Sequence, residues 1–79
     1  MTLRDMEDHV RALRRDGDRL ALLSIAHRFV ERGSIGDTLR LFTREETAEV
    51  IRRIKASARL ARRVDPVRLE AYERYLREG

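Results

Sequence analysis

Cysteine and tryptophan are absent from these 79 residues, and phenylalanine and tyrosine contribute only two each. Without cysteine there is no disulfide staple, no thiolate zinc site and no thiol nucleophile, and the redox state of the compartment leaves no mark on the chain. Long apolar runs are missing too: none approaches the roughly 18–20 residues of a membrane span. Met1 to Val10 carries three acids, where a secretory signal has a basic start and an apolar stretch. The expectation is a soluble, cytoplasmic protein with no membrane partner. Repeats, low-complexity segments, internal linkers and strand patterns are likewise lacking. The length is short of the roughly 100–150 residues of a common domain, so residues 1–79 are read as a single helical domain.

Charge is what the chain has in abundance. Aspartate, glutamate, lysine and arginine make up 41% of residues, with 18 cations against 14 anions and a net charge of +4. All the cations but Lys55 are arginine. Apolar residues, at 42%, are plentiful enough and regular enough to place the chain outside the disordered class. The basic balance permits a polyanionic partner without specifying one.

Leu3, Met6, Val10 and Leu13 recur at helical spacing and predict a helix from about Thr2 to Arg15. Gly17 suits the left-handed position after that helix, and Asp18 can accept from the free amides of the next first turn. A second helix, Asp18 to Arg32, has only Ser24, His27, Arg28 and Glu31 as a polar stripe, which demands cover on most of its sides. Gly33 ends it. Ser34 to Asp37 reads as a turn, with Asp37 capping a short helical turn from Thr38 to Phe42 that plugs the end of the bundle. Thr43-Arg44-Glu45-Glu46 matches a capping box and predicts a long helix to about Arg63, about 30 Å, with Val50, Ile51, Ile54, Ala58 and Ala61 as its core stripe. Asp65-Pro66 then caps a last helix to about Arg77. The fold expected is an all-α, compact four-helix bundle-like domain with a short extra helical turn between the second and third main helices. A core this small gives only about 3–5 kcal/mol without a staple, and self-association is one remedy.

The charge excess is local. Cations and anions number eleven and ten over residues 1–54, four and none over 55–64, and three and four over 65–79. On one continuous helix Arg52, Lys55, Arg59, Arg62 and Arg63 fall within about 100° of arc. Glu49 can pair with Arg52 or Arg53, but the other four have no acid at those spacings within the helix. Acids early and bases late in a helix also complement its macrodipole, at about 0.3–1 kcal/mol each, yet the density of unpaired cations goes beyond that need. Arginine forks match phosphate oxygens, so these five residues are candidate phosphate contacts, with nucleic acid as partner, DNA ahead of RNA, or an acidic protein surface in its place. Arg68 joins them. It interrupts an apolar arc at the start of the last helix, where it either snorkels or helps that helix enter a groove in a helix-turn-helix arrangement.

The same arc, with Leu69, Tyr72, Tyr75 and Leu76 and with Leu60 beside the basic face, is the alternative functional surface. It suits a homodimer or adaptor interface, because tyrosine and arginine are enriched at binding hot spots. A wide core face in a small bundle explains the same pattern. Catalytic chemistry has little to draw on. His9 and His27 stand four residues from Asp5 and Glu31, a spacing that fits a metal site but also an ordinary surface pair. No phosphate-cradling loop, nucleophile elbow or paired-carboxylate cleft is present in the sequence. No enzyme, cofactor or metal is expected.

Overall fold

A computed structural model describes residues 2–78. Six helices and no strand make up the described residues: α1 (Leu3–Asp16), α2 (Arg19–Arg32), α3 (Ile35–Leu41), α4 (Arg44–Ala56), α5 (Ala58–Ala61) and α6 (Pro66–Glu78). They pack into an all-α globule with a radius of gyration of 12.2 Å, as the periodicity led one to expect. No helix among the described residues is long and apolar enough to cross a membrane.

Local chemistry sets most of the boundaries. The Thr2 hydroxyl and the Asp5 carboxylate serve each other's amides at the start of α1. At its other end Gly17 adopts φ 74°, which only glycine takes readily. Its amide donates to the Arg14 carbonyl and that of Asp18 to the Leu13 carbonyl, closing a Schellman motif. Asp18 Oδ1 then accepts from the Ala21 amide and opens α2. The capping box at α4 forms in full: the Glu46 amide donates to Thr43 Oγ1 at 3.1 Å and the Thr43 amide to Glu46 Oε1 at 2.9 Å. Asp65 Oδ1 accepts from the Val67 amide, with Pro66 as the first residue of α6.

Two elements differ from the sequence expectation. Ser34, not Asp37, caps α3, so Ser34 to Asp37 is not a separate turn and the helix begins at Ile35. The long third helix is broken at Ser57, whose backbone turns extended at φ −123°, ψ 115° and whose hydroxyl accepts from the Leu60 amide as a new N-cap. Serine competes for backbone donors in this way wherever tertiary packing makes a bend worthwhile. The break re-aims the chain: Leu60 and Ala61 pack on the core and Val64 is fully inside it, while Ala58, assigned to the core stripe, is exposed.

The core is assembled from Val10, Leu22, Leu23, Ala26, Val30, Leu41, Phe42, Val50, Ile51, Ile54, Val64 and Tyr72. Phe29 meets Phe42 edge to face, with centroids 5.7 Å apart, at the end of the bundle that α3 closes. Cover over α2 is incomplete, since Leu20 is 75% exposed.

Candidate nucleic-acid interface

The break at Ser57 redistributes the basic residues expected to form one ridge. Arg52 lies on α4, Arg59 on α5, and Arg62 and Arg63 in the segment that follows. Arg52 borders a shallow groove with Arg19, Ala48 and the acids Glu45 and Glu49. Arg63 faces α2 across a cleft of about 600 Å³. A single arc on one helix is therefore not what the fold presents. Nor is Lys55 without an acid: its ammonium stands 3.4 Å from the Glu73 carboxylate of α6. Arg53 pairs with Glu49 at 3.5 Å, as the spacing allowed, and Arg19 of α2 takes the other Glu49 oxygen.

The cleft is the largest concavity described, and α2 supplies most of it. Leu23 and Val50 lie beneath the cleft but are only 3% and 1% exposed, so its apolar surface is chiefly that of Leu20, 75% exposed. Ser24, His27 and Glu31 line the wall, with His27 Nε2 and Glu31 Oε2 3.3 Å apart and both side chains largely covered. Four arginines, Arg28, Arg32, Arg53 and Arg63, complete the lining against the single carboxylate of Glu31. No group of three or more His, Asp or Glu side chains converges among the described residues.

Sequence reasoning missed Arg28 and Arg32. The signal was their spacing of four on the polar side of α2, but nothing in the chain placed that side opposite Arg63. Among the described residues, Arg28, Arg32, Arg52, Arg59, Arg62 and Arg63 are all exposed and none meets a carboxylate, as is also true of Arg4 and Arg77 near the chain ends.

Arg68 is engaged elsewhere. Its guanidinium donates to the carbonyls of Phe29 at 3.0 Å and Val30 at 2.9 and 3.1 Å, and also to that of Gly33. These carbonyls belong to the last turn and the end of α2, where the helix dipole favours a cation. Instead of snorkelling, the residue docks α6 against the end of α2.

The apolar arc of α6 is mostly consumed within the chain. Tyr72 is 0% exposed, so it is core and not a surface hot spot. Leu60, Leu69 and Leu76 pack on the core. Tyr75 carries the Arg44 guanidinium 4.5 Å above its ring, and Arg44 also donates to the Tyr75 carbonyl at 3.0 Å. Only Val67, 74% exposed, is left bare.

No protein-family model, curated protein or solved structure matches this chain.

Proposed function

We propose that this protein is a small, non-enzymatic nucleic-acid-binding domain, DNA ahead of RNA, with a regulatory role in the cytoplasm. The observation that carries it is the set of exposed arginines without acid partners on α2, α4, α5 and the segment after α5, in a fold where several other arginines are engaged by carboxylates or carbonyls. Unpaired guanidinium groups in a basic protein are ready to replace the counterions of a phosphate backbone, and each contact adds to the salt dependence of binding. Relative to the sequence expectation, Arg52, Arg59, Arg62 and Arg63 keep their role, Arg28 and Arg32 join them, and Lys55 and Arg68 leave. An adaptor or homodimer role through α6 has only Val67 and the half-covered Tyr75 to offer, and is the weaker reading.

Fluorescence anisotropy of labelled oligonucleotides at about 50 and 200 mM salt tests the proposal. Micromolar or tighter binding at low salt is expected to weaken by about tenfold or more at the higher salt. The double charge reversal Arg59→Glu/Arg62→Glu is expected to abolish it. An unchanged affinity in that variant, or no binding at low salt, removes the proposal.

A further inference from the structure

The structure points to a single strand, with an unstacked base seated between α2 and α4, as the form of nucleic acid this surface takes; we infer this on top of the polyanion reading above. Three observations carry the inference. The first is shape: the cleft of about 600 Å³ falls within the roughly 300–1,000 Å³ of small-ligand sites and is a concavity, not the convex ridge or projecting helix that enters a duplex groove. The second is the layering of its chemistry. Leu20 offers an exposed apolar side chain, the partly covered His27 an imidazole, and Arg28, Arg32 and Arg63 exposed guanidinium groups. A base wants the leucine and the imidazole and its phosphate wants the guanidinium groups, whereas in a duplex the bases are stacked away from both. Imidazole and guanidinium planes are both surfaces on which unstacked bases rest. The third is extent. Arg62, next in the chain to the cleft residue Arg63, and Arg59, three residues before it, are exposed and without acid partners but do not line the cleft, so cations lie outside it as well. A mononucleotide fills the cleft alone; a strand of several nucleotides uses both.

The test compares a ten-residue oligothymidylate with a duplex of equal length. Anisotropy is expected to give an affinity at least tenfold tighter for the single strand, and Arg28→Glu/Arg63→Glu is expected to remove that advantage. Methyl and imidazole NMR signals supply a readout that charge alone does not move: on saturation with the single strand, the resonances of Leu20 and His27 are expected to shift, and with duplex to stay in place. If the duplex binds equally well or better, or if those resonances remain still while the single strand saturates, the inference is overturned and the polyanion reading survives. If neither oligonucleotide binds at about 50 mM salt, both fall together.

Discussion

Two buried polar side chains show opposite solutions to the same problem. Burial pushes the Glu46 carboxyl up, but hydrogen bonds from Arg14 and from Thr43, with the Arg14 charge, hold it below its ordinary value. Arg14 Nε donates to Oε2 at 2.9 Å and Nη2 to Oε1 at 2.7 Å, and the fork also reaches the Leu41 carbonyl at 3.3 Å. One carboxylate thus closes the cap of α4 and ties α1 to it. Glu46→Gln is expected to lower stability by about 2 kcal/mol at pH 7, less than a wholly buried pair because Arg14 is 40% exposed. Since the folded-state pKa is depressed, the contribution is present above the unfolded value near 4.5 and is lost as the pH falls through the folded value. Thermal melts between pH 7 and pH 3 are expected to converge for the two proteins.

Tyr72 is the unsolved case. Its hydroxyl is buried with no hydrogen-bond partner. Burial raises the phenol pKa, and the Thr38 hydroxyl and Arg68 charge only oppose that shift, Thr38 lying near but donating to Ser34 and Phe29 carbonyls instead. Tyr72→Phe removes an orphaned polar atom and keeps the ring. Its stability at pH 7 is expected to match or exceed that of the parent by up to about 1 kcal/mol. The parent's raised pKa means that folded-state stability is full below pH 10 and declines above it as the unfolded chain ionises, so the variant is expected to hold up better in urea titrations at pH 11.

At the scale of the element, two glycines carry opposite expectations. Gly17 sits at φ 74°, and a Cβ there meets no atom within 4 Å, so any penalty is purely conformational. Gly17→Ala is expected to destabilise by about 1–2 kcal/mol. Gly36 lies inside α3, where a Cβ meets only Ser34 Oγ at an ordinary 3.7 Å. Gly36→Ala is expected to stabilise by about 0.5–1 kcal/mol, because alanine loses less entropy in a helix. Denaturant midpoints of the pair at constant m separate the two effects. Elements also divide by legibility. Helix starts at Asp18, Thr43 and Asp65 were readable because an N-cap serves amides two or three residues away. The break at Ser57 was not, since a serine between alanines is compatible with a continuous helix until Leu60, Ala61 and Val64 have a core to turn toward.

At the scale of the molecule, a thin core without disulfides is held by arginines that cross between helices and land on helix ends. Arg68 serves the end of α2, Arg14 reaches Leu41 at the end of α3, and Arg44 serves Tyr75 and Leu76 near the end of α6. Each brings a cation to the negative end of a dipole and further donors to the carbonyls there. Part of the arginine content is therefore structural. Arg68→Ala is expected to cost about 2–3 kcal/mol in chemical denaturation, because several charge-assisted bonds are lost at once. Oligonucleotide affinity measured on the folded fraction is expected to stay unchanged, which distinguishes this arginine from Arg28, Arg59 or Arg63.

The sequence by itself determined the helical class, most of the caps and turns, and the apolar seams, because those depend on residues no more than four apart. It also located the charge excess in residues 55–64. Only the tertiary structure decided which arginines are free. Pairing of Lys55 with Glu73, of Arg14 with Glu46 and of Arg68 with the end of α2 spans 18 to 39 residues of chain, and so does the meeting of Arg28 and Arg32 with Arg63 across one cleft. Helical periodicity says which side of a helix a residue occupies, but the partner opposite that side is set by how the helices pack, and a charge is spent or available according to that partner alone.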